Sequence, residues 1–158
     1  MRVPGPALAA NARPTLNATA RRAAEILVAK GLGFTIPSAR QKKNLVVAFA
    51  KQDRIVYGKA FDVVRLSGQA DLNDLEEVER HLKQLTLYEI KSTAKVCPPD
   101  FKGHFFSLTG AEILVSQSLR EQFRFVFVNI RTGNHLELTL SQMFARAKGI
   151  YPGWSLSF

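Results

Sequence analysis

Glu89-Ile90-Lys91 sets an acid and a base one residue apart inside the run Leu87-Tyr88-Glu89-Ile90-Lys91-Ser92-Thr93. The run is rich in β-branched and aromatic residues, which predicts a strand. Side chains alternate faces along a strand, so Glu89 and Lys91 share one face while Tyr88 and Ile90 share the other. An acid and a base in an apolar strand are costly to bury unless they pair or bind something. The spacing also suits a divalent-metal phosphodiesterase. The carboxylate holds a hard cation, and the ammonium beside it orients a water or steadies phosphate charge. The plainer alternative is a cross-strand ion pair on an exposed sheet face. A second carboxylate, Asp62, stands among Ala60, Phe61, Val63 and Val64. Aspartate disfavours strands and is costly when buried; a metal would resolve the difficulty.

Charge points to a class of partner. The chain has 158 residues, 46 % of them hydrophobic, enough for one domain with a real core, and a formal charge of +9. Asp71, Asp74, Glu76, Glu77 and Glu79 crowd into one stretch without Lys or Arg, leaving 22 basic residues against 8 acidic elsewhere. That surplus suits a polyanion, with nucleic acid the first candidate. Arg40, Lys42, Lys43, Lys95, Lys102, Arg124 and Arg131 are the basic residues expected around the cleft. A single cysteine, Cys97, excludes an internal disulfide and suits a reducing compartment, so a cytoplasmic location is expected. No apolar run approaches the roughly 18–20 residues of a membrane span, so a membrane is not an expected partner.

These residues need elements to hold them. Residues 1–14, with Pro4, Gly5, Pro6 and Pro14, predict an extended, poorly ordered arm, and residues 15–158 a single domain. A helix is expected from Thr15 or Asn17 to Lys30, closed by Gly31 and Gly33. Its stripe is Ala20, Ala23, Ala24, Leu27 and Val28, and Glu25 is its only acid. Leu45 to Phe49 predicts a strand, Asp53-Arg54 a turn, and Ile55 to Leu66 a second strand or strand pair carrying Asp62. Asp71 to Leu85 predicts a helix with Leu72, Leu75, Val78, Leu82 and Leu85 at three- and four-residue steps, Asp71 or Asn73 as its cap and its carboxylates on a solvated face. After the break at Cys97-Pro98-Pro99-Asp100, Thr109 and Glu112 fit a capping box that opens a helix through Leu119. Phe123 to Ile130 is the strongest strand signal, and the turn Arg131-Thr132-Gly133-Asn134 leads into His135 to Leu140. The tail is mixed, and its aromatics Tyr151 and Trp154 are expected to pack.

The order is helix, strands, inserted helix, strand, helix, strands, an α/β arrangement with a central mixed β-sheet flanked by helices. With Asp62, then Glu89-Ile90-Lys91, and Glu25 in the first helix, it resembles the restriction-endonuclease-like, or PD-(D/E)XK, nuclease superfamily. The stretch from Phe105-Phe106-Ser107-Leu108-Thr109 to Phe123-Arg124-Phe125-Val126-Phe127-Val128-Asn129 is similar to the family carrying the plant NO VEIN C-terminal domain. The likeness covers about residues 15–140, with Phe61 where the superfamily motif has proline. It implies a metal-dependent DNA endonuclease. Asp62, Glu89 and the Ile90 position would bind Mg²⁺ (or Mn²⁺), Lys91 would serve the phosphate, and Glu25 would be a further catalytic acid. DNA is then the partner, with a homodimer left open. The alternative is a non-catalytic nucleic-acid-binding module on the same fold. Other chemistries fare worse. His81, His104, His135 and Cys97 lie too far apart for a zinc pattern, and the sequence has no nucleophile elbow, P-loop or dinucleotide fingerprint.

Overall fold

A computed structural model describes residues 18–153 of the chain. The expected arm, the expected helix start at Thr15 or Asn17, and Trp154 lie outside them. Five strands form one mixed sheet in the order β1-β2-β3-β4-β5. They are β1 (Phe34–Thr35), β2 (Val63–Leu66), β3 (Leu85–Thr93), β4 (Phe123–Asn129) and β5 (His135–Leu138). Only β3 and β4 run parallel. A parallel pair needs a crossover, which α4 (Gly110–Leu119) provides.

The sheet buries both faces. On one, Val64, Leu85, Leu87, Phe123, Phe125 and Phe127 pack with Leu45, Ala48 and Phe49 of α2 (Ala39–Ala50) and Val115 and Leu119 of α4. On the other, Val63, Tyr88, Ile90, Val126 and Val128 pack with Ala23, Ala24 and Leu27 of α1 (Ala18–Ala29). The first-helix stripe was therefore legible at its centre, although Val28 stays largely exposed. Gly31 and Gly33 end that helix with φ of 67° and 84°, the left-handed backbone that glycine adopts without a Cβ penalty.

Several sequence expectations change. Leu45 to Phe49 is not a strand but the second half of α2. Ser38 starts this helix in a capping box with Gln41, satisfying amide groups that the first turn leaves open. Of Ile55 to Leu66, only the last four residues form a strand. The chain turns at Asp53, whose φ is 55°, and again near Gly58 before reaching β2. The expected helix over 71–85 shrinks to α3 (Leu75–Arg80) and a 3-10 turn at Leu82–Gln84. Asp74 rather than Asp71 or Asn73 caps α3, and Leu85 already belongs to β3. Beyond β5, Thr139 and Gln142 form another capping box and open α5 (Leu140–Arg146) in the mixed tail. Among the described residues, no helix is long and apolar enough to cross a membrane.

Candidate active site

Register brings the two acids together. Val63 lies opposite Tyr88 in the antiparallel β2–β3 pair, so Asp62, one step before, falls opposite Glu89 on the same face. Asp62 occupies the bend at the mouth of β2. Its N–H donates to the Tyr88 carbonyl at 2.8 Å, and its Oδ2 accepts from the Ile90 N–H at 3.0 Å. The Ile90 amide thus faces the β2 side of β3 beyond the end of β2. Its carbonyl shares that direction, because both groups of a strand residue point to the same side.

The pair stands on the sheet face that carries α2 and α4, so each acid is half-buried. Burial raises the Asp62 pKa against the pull of the Ile90 amide and the Lys42 ammonium. Burial first, and then the charge of Asp62, push Glu89 up to about 9, with Lys91 pulling the other way. Both carboxylates are thus pushed toward their protonated forms as they face each other across β2 and β3. Two carboxylates this close in a poorly hydrated place cannot both ionise without a counter-charge.

Two lysines serve as counter-charges. Lys91, whose side chain is 11 % exposed, donates to Glu89 Oε1 at 3.2 Å and to Glu112 Oε2 at 2.8 Å. Glu112 lies in the first turn of α4, and the same Oε2 accepts the Thr109 N–H at 3.1 Å while Thr109 caps the helix. The capping box was readable in the sequence. That its acid also reaches Lys91 was not, because spacing alone does not place the start of α4 over β3. Lys42, on the inner side of α2, donates to the carbonyls of Phe61 at 2.6 Å and Gly58 at 3.0 Å. Burial lowers its pKa, while Asp62 and Glu89 pull it back up. Lys42 thus steadies the turn that delivers Asp62.

Asp62, Glu89, Ile90 and Lys91 line one cleft of about 420 Å³ with Thr19, Ala20, Ser92, Phe105, Phe106 and Ser107. Glu25 is not among them. It sits outward on α1, its side chain 46 % exposed, in ion pairs with Arg21 and Arg22.

No family model, curated protein or solved structure matches this chain. Its chemistry rests on its own geometry.

The basic residues scatter. Arg40 and Lys43 are exposed on α2, Lys95 and Lys102 on the segment after β3, and Arg131 on the turn after β4. Arg124 lies across from Tyr88, on the α1 face of the sheet, and pairs with Glu121 at 3.3 Å. Lys42 turns inward instead. Among the described residues, no three His, Cys, Asp or Glu gather to hold a metal ion. The oxygen donors gathered at this pair are the Asp62 and Glu89 carboxylates and the Ile90 carbonyl. Such hard donors fit Mg²⁺ or Mn²⁺, and Mg²⁺ commonly takes one or two carboxylates and completes its shell with water and phosphate. Burial and the neighbouring Asp62 charge disfavour the Glu89 anion, so a cation beside the pair would be favourable.

Proposed function

We propose that this cleft hydrolyses phosphodiester bonds in DNA with a divalent cation held by Asp62, Glu89 and the Ile90 carbonyl. The observation that carries the reading is the half-buried Asp62–Glu89 pair, opposed across β2 and β3, with Lys91 at its side. It agrees with the restriction-endonuclease-like resemblance of the Asp62 and Glu89-Ile90-Lys91 pattern. Mg²⁺ or Mn²⁺ bound there would supply a Lewis acid for the phosphate and a water of lowered pKa. Lys91 brings a fixed ammonium to the negative charge that develops at phosphorus, where such stabilisation is commonly worth several kcal/mol. Glu112, whose Oε2 lies 2.8 Å from Lys91 Nζ, would keep Lys91 in place were Glu89 to hold a cation. Lys42 holds the carbonyls before Asp62 and so fixes that carboxylate. The basic surplus draws the polyanion, and one half-buried, unbridged Cys97 suits action in the cytoplasm.

A second reading has its own observation. Lys91 already lies between two carboxylates, as a purely structural ion pair would, which leaves a non-catalytic DNA-binding module on this fold. One assay separates the two. The purified protein should nick or cut DNA with Mg²⁺ or Mn²⁺, stop with EDTA, and lose cutting but not DNA binding on Lys91→Ala. DNA binding without cleavage of any DNA form in either metal favours the module.

A further inference from the structure

The segment 94–109, between β3 and α4, is an irregular stretch pinned to the sheet at several points. Asn129 Nδ2 donates to the Lys95 carbonyl at 3.0 Å and approaches Cys97 Sγ at 3.3 Å. His104 Nε2 meets Thr93 Oγ1 at 2.8 Å. Phe101 is buried, with its ring 5.9 Å from that of Phe127. Its φ of 57° is uncommon for a bulky residue and persists where the surroundings over-determine it. Phe106 packs edge-on against Phe127 with centroids 4.6 Å apart.

Phe105 stands between these anchors and is 76 % exposed. Its neighbours His104 and Phe106 are both engaged with the interior, so its exposure is not that of a slack loop. Other large apolar side chains are also exposed, among them Val96, Ile150 and Tyr151, yet among the described residues Phe105 alone of these lines the acid–lysine cleft. A rigidly based aromatic ring in water costs hydration free energy unless something covers it. The same segment carries Lys95 and Lys102 and a single acid, Asp100. An aromatic face beside basic charge is how proteins hold single strands, because every base offers a π-face once it leaves its stack. In an intact duplex both faces of each interior base are already stacked.

We propose that Phe105 is a stacking platform for one unpaired base, so that the cleft takes single-stranded DNA in preference to an intact duplex. This rests on the phosphodiesterase reading of the same cleft and names its substrate class. The base next to the reacting phosphate lies against the Phe105 ring, and Lys95 and Lys102 of the same segment add attraction for the phosphates of the strand.

The test is binding in EDTA, by fluorescence anisotropy, to a labelled oligothymidylate and to a blunt duplex of the same length. Phe105→Ala should weaken the single strand about tenfold or more and leave the duplex nearly unchanged. Phe105→Trp should restore single-strand binding, with its indole emission quenched by the strand. Equal single-strand affinity for wild type and Phe105→Ala overturns the proposal, as does an equal loss on both DNA forms. If the wild type also cuts DNA with Mg²⁺ or Mn²⁺, only the stacking inference fails. If the wild type binds neither form, the nucleic-acid reading of the cleft fails with it.

Discussion

Glu89 pays for its position with a proton. Its ordinary value of 4.5 rises to about 9 because burial and the Asp62 charge disfavour the anion. The folded state therefore binds more protons than the unfolded chain between those values, and stability falls as pH rises through that window. Thermal melts of the protein in EDTA should show this decline, and Glu89→Gln should flatten it. The comparison with Glu89→Gln matters because His135, its pKa lowered by burial and by Lys30, acts in the opposite sense. A wild type and a variant with parallel pH profiles would contradict the shared-proton picture. Glu112 gives a second prediction at this scale. Glu112→Gln keeps an acceptor for the Thr109 amide but leaves Lys91 without that charge, so cleavage should fall about 10- to 100-fold with the melt little changed. Thr109→Ala should cost about 1 kcal/mol of stability and leave cleavage near wild type. Equal effects of the two changes on rate would reduce Glu112 to a helix cap.

Elements explain what the sequence revealed and what it hid. β3 was legible because alternation of faces separates Glu89 and Lys91 from Tyr88 and Ile90, and both sets remain in their assigned places. β4 was legible as a long aromatic and β-branched run, and α4 as a capping box followed by an apolar stripe. α2 was not. Leu45-Val46-Val47-Ala48-Phe49 is a continuous apolar run with two β-branched valines, a pattern that periodicity cannot assign to strand or helix by itself. The deciding signal was Ser38 with Gln41, three residues apart, and the same kind of box at Thr139 and Gln142 announced α5. The two-residue β1 has no sequence signature at all, since its pairing with β2 is tertiary. At the site, Asp62 and Glu89 could be read from charge in apolar surroundings, whereas the inward turn of Lys42 needed α2 to be a helix. That assignment has its own check by chemical denaturation. Leu45→Ala, at a buried core position, should cost about 2–5 kcal/mol. Val47→Ala should stay within about 0.5 kcal/mol of wild type, because alanine is the better helix former. A loss at Val47 as large as that at Leu45 would contradict the helix.

Across the whole molecule, charge and fold divide the work. The acids of the 71–79 stretch spend themselves on local caps and ion pairs. Asp74 caps α3, Glu77 accepts the Asp71 amide at 2.7 Å, and Glu79 meets Lys51. They lie apart from the residues that line the cleft. The Lys and Arg residues are spread along the described chain, from Arg21 and Arg22 of α1 through α2 and the segment 94–109 to Arg131 and Arg146, so positive charge is distributed while Asp62, Glu89 and Lys91 are confined to one cleft. That separation places the central claim on two side chains, Asp62 and Glu89. The most direct measurement is a calorimetric titration of Mn²⁺ into the metal-free protein near neutral pH, repeated in buffers of different ionisation enthalpy. Saturable binding that releases a proton is the predicted result, since the cation replaces the one held on Glu89, and Asp62→Asn should abolish it. Absence of saturable binding in the wild type, or binding that survives Asp62→Asn unchanged, would contradict a metal site at this pair.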